Sequence, residues 1–114
     1  MIVNTRTQVL LWTAQRASAA VLALCVLIHL ITMIYAVKSG LSAAEVLGRT
    51  RGNPGWAAFY ALFVAAIAIH APIGLRTIVS ELLGWRGTVL DLLVLAVGIA
   101  LALWGWRAVW GVFV

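Results

Sequence analysis

The chain has 114 residues, of which 65% are hydrophobic and 10% are charged, and its formal net charge is +5. Soluble domains are about 45–50% apolar and about 25% charged. This composition therefore excludes an ordinary soluble domain and indicates an integral membrane protein. The basic residues are scattered singly along the chain, which argues against nucleic acid as a partner. Cys25 is the one cysteine, which excludes an internal disulfide and a cysteine-ligated cluster.

Three apolar segments, at about 12–37, 56–83 and 88–110, each exceed the roughly 20 residues that cross a ~30 Å hydrocarbon core as a helix. None shows the alternation of a barrel strand, and backbone polar groups within lipid must be paired, so helices are expected. The sequence therefore predicts an all-α integral membrane fold, in which residues 1–114 form one domain of three transmembrane helices in an up-down-up bundle. The first segment is longer than the apolar part of a signal peptide, which favours a retained helix.

The connections between these segments are polar and contain turn-forming residues. Within 38–55, Ser42 is the expected N-cap of a short surface helix that ends at Gly48. The second connection, 84–87, is predicted to be a tight reversal. Lys and Arg are equally frequent on the two sides of the predicted bundle, so charge does not predict its orientation. Aromatic residues lie near the predicted helix ends, where their rings favour the membrane boundary: Trp12, Tyr35, Trp56, Trp85 and Trp110.

His70 lies in the middle of the second segment, where an ionisable side chain is costly and usually functional. Ala66 and Gly74 lie one turn to either side and leave space for a flat group such as haem. Imidazole is a standard axial ligand of haem iron, and the long stem of Arg76 allows it to reach water or a haem propionate. Pro72 removes one backbone donor and predicts a bend. The alternative is a histidine that is hydrogen-bonded to a neighbouring helix.

His29 is the second histidine at membrane depth. If Tyr35 and Trp56 mark the same boundary, His29 and His70 differ in depth by about 12 Å. That separation is too large for one iron, but it suits two haems at two levels, each completed by another chain. The alternative for His29 is a histidine of the bundle core. Asp91, near the start of the third segment, is interpreted as an acid favoured by the helix macrodipole.

Two motifs resemble those of a known family. His70-x-x-x-Gly74-Leu75-Arg76, followed by Glu81, resembles the second-helix signature of the cytochrome b membrane-anchor subunits of succinate dehydrogenase. Arg16-Ala17-Ser18-Ala19 resembles the R-x-S-G that opens the first helix of the same subunits. Five positions differ from the residues usual in the family: Trp12, Gln15, Ala19, Thr77 and Glu81.

The resemblance implies a C-subunit-like, haem b-containing anchor of a succinate:quinone or fumarate:menaquinone oxidoreductase, respiratory complex II, in a bacterial or archaeal cytoplasmic membrane. It implies His70 and His29 as haem ligands, and Arg16, Ser18 and Arg76 as contacts of quinone or of haem propionates. One or two haems, ubiquinone or menaquinone, and either direction of the reaction stay open.

The implied partners are a second membrane-anchor subunit, an iron–sulfur subunit and a flavoprotein subunit. This chain has neither a glycine fingerprint nor a cysteine set, so it is expected to be a non-catalytic, electron-transferring subunit of the enzyme. The partner chains would then carry the chemistry of succinate.

Simpler interpretations stay open for the polar residues near the ends of the segments. Arg16 is alternatively a cation that extends its stem to the membrane surface, and Ser18 a donor to a carbonyl of its own helix. Trp85 and Arg86 are either boundary residues or the lining of a quinone entrance.

The competing function is a small transporter or a structural membrane subunit without haem, in which the two histidines have proton or packing roles. Such carriers commonly place acids at mid-membrane. Glu81 and Asp91 lie near segment ends instead, which favours the cytochrome.

Overall fold

The computed structural model describes residues 4–114, which form four α-helices: α1 Thr5–Lys38, α2 Ala43–Thr50, α3 Pro54–Leu83 and α4 Thr88–Phe113. Three of them, α1, α3 and α4, are long and apolar enough to cross a membrane. No strand occurs within the described residues. The prediction of an all-α fold with three membrane spans is therefore confirmed.

The long helices extend beyond the apolar segments that predicted them. α1 begins at Thr5 because the side chain of Asn4 accepts a hydrogen bond of 2.8 Å from the backbone N–H of Thr7. α3 begins at Pro54, where the missing N–H of proline costs nothing, and Asn53 caps it. Hydropathy does not detect these polar first turns, because they depend on capping and not on burial in lipid.

The short helix in the first connection begins where the sequence predicts. Ser42 and Glu45 form a reciprocal capping box at its start. Its predicted end at Gly48 is wrong, because the helix continues to Thr50. Gly48 keeps a helical backbone, and the positive φ of 67° that reverses the chain is found at Gly52.

The central helix of the bundle is α3, which packs against both α1 and α4, while α1 and α4 share few contacts. Two glycines allow α4 to approach α3 closely. A Cβ atom on Gly105 would lie 2.5 Å from Cγ1 of Val64, and one on Gly98 would lie 3.1 Å from Cγ of Pro72. Such contacts of small residues are a common basis of helix packing in membranes.

Backbone contacts at both ends hold this arrangement in place. Gly84 and Gly87, with φ of 65° and 127°, form the tight reversal between α3 and α4. At the opposite end, the backbone N–H of Gly52 donates to the carbonyl of Phe113 at 2.8 Å.

α3 continues as a helix through Pro72. Most of the large apolar side chains are exposed, and the buried apolar residues of the described chain are few: Cys25, Ala66, Leu90, Val94 and Val109.

Candidate functional site

The antiparallel register of α1 and α3 fixes the depth of the candidate residues. Gln15 lies against Gly74, since a Cβ atom there would be 3.2 Å from Nε2 of Gln15. Four residues further along each helix, Ala19 and His70 border one groove. Near the other end, the ring of His29 lies beside Tyr60. Because the ring also contacts Phe63, and Tyr60 and Phe63 precede His70 by ten and seven residues, the two histidines are separated along the bundle by roughly 10–15 Å.

His70 borders a shallow groove of about 460 Å³ on the surface of α1. Its Nδ1 atom is buried and has no hydrogen-bond partner among residues 4–114. Leaving a buried polar atom without a partner costs about 1–3 kcal/mol, and such atoms are rare in native proteins. The alternative of a histidine bonded to a neighbouring helix thus has no support within the described chain. The groove is otherwise apolar and is lined by Ala19, Leu22, Ala23, Val26, Leu27 and Leu30.

These surroundings fit a haem ligand. A neutral imidazole is a standard ligand of haem iron, and the apolar side chains around His70 would exclude water from the metal. The small side chains of Ala19 and Ala23 leave room for a flat group against α1. The described residues contain no group of three or more His, Cys, Asp or Glu side chains, so they form no site of that kind for a bare metal ion.

His29 has different surroundings. Its ring makes edge-to-face contacts with Tyr60 and Phe63, at centroid distances of 5.9 and 5.7 Å. The hydroxyl of Tyr60 lies 3.5 Å from Nδ1, a long hydrogen bond. His29 also borders a cavity of about 300 Å³ between α3 and α4. These contacts suit the core histidine, and ligation of a second haem stays a prediction.

A second, polar pocket of about 510 Å³ lies where the start of α1, the end of α3 and the α3–α4 turn meet. We call it the arginine pocket, because Arg76 and Arg86 both line it. Nε of Arg76 donates to Oδ1 of Asp91 at 2.6 Å, so an acid on α4 holds the guanidinium in place. The remaining lining residues are Gln8, Leu11, Trp12, Gln15, Ile73, Thr77 and Gly87.

The pairing of Arg76 with Asp91 was missed from the sequence, which assigned Asp91 to the helix macrodipole alone. The two residues are 15 positions apart on different helices. Their contact depends on the length of the tight reversal and on the register of α3 against α4. The presence of opposite charges on either side of a short turn is the signal that was available.

The structure does not bring Arg16 and Ser18 into the arginine pocket. The side chain of Arg16 is exposed, and its guanidinium carbon lies 5.2 Å from the ring centroid of Trp12, a cation–π contact. Ser18 is buried, and its hydroxyl donates to the carbonyl of Gln15 at 3.1 Å, the local bond typical of serine in helices. Of the two turn residues considered for a quinone entrance, Arg86 lines the arginine pocket, whereas Trp85 does not.

Gln15 is a pocket residue that the motifs did not identify. Its Oε1 atom is buried and has no hydrogen-bond partner among residues 4–114. From the sequence, Gln15 was only a departure from the family pattern. Helical spacing was the available signal, because Gln8, Leu11, Trp12 and Gln15 recur at intervals that place them on one face of α1.

The fold and these two sites define a class: a three-span membrane protein with a histidine at an apolar groove and two arginines lining a pocket near one end of the bundle. The family of succinate dehydrogenase/fumarate reductase transmembrane subunits matches residues 1–106, and the chain belongs to this family. No curated protein sequence and no solved structure matches the chain significantly. Family membership agrees with the resemblance of the two motifs and makes the chain a membrane subunit of a larger enzyme.

Proposed function

We propose that the protein is the haem b-carrying membrane anchor of a succinate:quinone oxidoreductase or fumarate reductase, and that it binds haem through His70 and quinone in the arginine pocket. The observation that carries the proposal is His70 itself, which borders an apolar groove and whose buried Nδ1 atom has no partner in the described chain. Membership of the transmembrane subunit family supplies the context of the enzyme.

In this proposal the chain has three roles toward haem, which supplies one-electron redox chemistry when it is bound. His70 provides one axial ligand. The aliphatic groove on α1 excludes water and lowers the local dielectric. Arg76 contributes a positive charge for a propionate or another anionic group, and Asp91 fixes its position.

The arginine pocket suits the polar head of a quinone. The Nε–H of Arg76 is occupied by Asp91, which leaves the terminal nitrogens of the guanidinium for a ligand. Arg86 adds a second cationic donor. Charge-assisted hydrogen bonds of this kind contribute about 1.5–3 kcal/mol each. Arg16 and Ser18, which the motif resemblance also implied, lie outside this pocket, and the exposed Arg16 remains available to a partner chain.

The partner chains proposed are a second membrane anchor, an iron–sulfur subunit and a flavoprotein subunit, in a bacterial or archaeal cytoplasmic membrane. Exposed apolar side chains on all three long helices give surface both to lipid and to a second anchor. Electrons from succinate would reach the quinone through the cluster of the iron–sulfur subunit. The chain would then be an electron-transfer anchor with no succinate site of its own.

Substitution of His70 in the assembled complex tests the proposal. His70→Ala is expected to remove the b-type band from the reduced-minus-oxidised spectrum. His70→Met, which retains a possible ligand, is expected to shift the haem midpoint potential upward, because a thioether ligand favours the reduced iron. Ile69→Ala is the matched control on α3, since Ile69 is exposed and does not line the groove.

Two results would contradict the proposal. An unchanged spectrum in an assembled His70→Ala complex would remove His70 as the ligand. The absence of any b-type band from the unmodified complex would favour the competing function, a transporter or structural membrane subunit without haem.

A further inference from the structure

We infer that Gln15 makes the arginine pocket selective for the reduced form of its ligand, because its side-chain carbonyl accepts a hydrogen bond that a quinol offers and a quinone does not. The inference rests on the proposed quinone function. It goes beyond that function by naming the residue that distinguishes the two redox states.

The side chain of Gln15 lies against α3 where it lines the pocket. A Cβ atom on Gly74 would lie 3.2 Å from Nε2, so the amide packs against the backbone of α3. Oε1 is buried, and no donor in residues 4–114 reaches it. A buried amide oxygen without a partner is unfavourable, and a ligand that brings a donor relieves this cost.

The two arginines of the pocket serve both redox states. Arg76 and Arg86 only donate, and both a quinone carbonyl oxygen and the oxygen of a quinol hydroxyl can accept from them. Thr77 already donates its hydroxyl to the carbonyl of Ile73 at 3.0 Å. Gln15 contributes the buried side-chain acceptor.

The redox selectivity follows from the hydrogen-bonding groups of the ligand. A quinone has two carbonyl acceptors and no donor, whereas a quinol has two hydroxyl groups that each donate and accept. Only the quinol therefore satisfies Oε1 of Gln15. Because a neutral hydrogen bond changes an equilibrium by about tenfold, the amide favours quinol over quinone by about that factor.

Equilibrium binding of a short-chain quinol and of its oxidised form to the purified complex, measured without oxygen, tests this inference. Gln15→Met removes the acceptor and keeps the length of the side chain. It is expected to weaken quinol binding about tenfold and to change quinone binding less than about threefold. Gln15→Glu retains an acceptor and is expected to keep the preference for quinol. If the methionine variant does not assemble, Gln15→Leu replaces it, since leucine also removes the acceptor.

Arg86→Ala separates failure of this inference from failure of the proposed function. If the alanine variant weakens both forms, while removal of the Gln15 acceptor weakens both equally or neither, the pocket binds quinone but Gln15 does not select, and the inference is overturned. If binding of both forms is insensitive to Arg86 and to Gln15 alike, the quinone function of the pocket fails, and the inference fails with it.

Discussion

The nitrogen atoms of the two histidines have different hydrogen-bonding environments. Nδ1 of His29 has the hydroxyl of Tyr60 within 3.5 Å, and two aromatic rings pack against the imidazole. Nδ1 of His70 is buried and has no partner in the described chain. Because buried polar atoms are nearly always paired in native proteins, this difference favours a binding partner from outside the described chain for His70 more than for His29.

Replacement of His29 tests whether this residue belongs to the bundle core or binds a second haem. His29→Leu is expected to leave the haem content of the complex unchanged. It is expected to lower the stability of the bundle by about 1–2 kcal/mol, because it removes a long hydrogen bond and two edge-to-face contacts. The measurements are pyridine haemochrome quantification against protein and thermal unfolding in detergent. Tyr60→Phe, which removes only the hydroxyl group, is the matched variant for the hydrogen bond.

The second-haem prediction makes the opposite forecast for the same variant. In that case the unmodified complex contains two haems, and His29→Leu contains one while the His70-dependent signal remains. A fall from two to one would therefore establish His29 as an iron ligand and contradict its assignment to the core.

At the scale of whole helices, the packing of α4 on α3 depends on glycine. A Cβ atom on Gly105 would meet the two γ carbons of Val64 at 2.5 and 2.9 Å and its Cβ at 3.2 Å. Valine has one preferred rotamer in a helix, so rotation of its side chain does not remove this overlap. The helices would have to move apart at this level, which also borders the cavity beside His29.

Gly105→Ala is accordingly expected to destabilise the bundle by about 1–3 kcal/mol, the usual cost of overpacking. Gly111→Ala is the matched control on the same helix, because a Cβ atom there has no neighbour within 4 Å. Thermal unfolding of the two variants in detergent measures the difference. Equal stability of the two would mean that α3 and α4 do not pack closely at Gly105.

Some features of this structure could be predicted from the sequence, and others could not. Hydropathy and capping are local patterns, whereas the register between helices is not. The three spans follow from the lengths of apolar runs, and the start of α2 follows from the spacing of Ser42 and Glu45. The first turn of α1 lies outside any apolar run, and it was missed because its cap satisfies backbone donors without changing hydropathy. The contact between Arg76 and Asp91 depends on the register of two helices, which no local pattern specifies.

The candidate site shows the same limit. His70 was predicted as a haem ligand from its depth and from the small residues around it, which are properties of one helix. The place of Gln15 in the arginine pocket was not predicted, because it depends on where α3 lies against α1. Arg16 and Ser18 belong to a recognisable motif, yet motif spacing does not specify which face of α1 meets the pocket.

At the scale of the molecule, a single copy of the chain cannot supply two axial imidazoles to one haem. The sequence contains two histidines, His29 and His70. His29 contacts Tyr60 and Phe63, which precede His70 by ten and seven residues, so the imidazoles lie roughly 10–15 Å apart along the bundle. Haem iron with two axial imidazoles therefore needs a histidine from another chain.

The chain produced without its partner subunits is thus expected to lack the low-spin spectrum of a haem with two imidazole ligands. The same chain produced with the partner subunits is expected to show it. Optical and electron paramagnetic resonance spectra of the two preparations measure the difference, and light scattering establishes whether the separate chain is a monomer. A low-spin, six-coordinate haem in a verified monomer would require a second ligand within this chain. That result would contradict the inference that another chain supplies the second axial histidine.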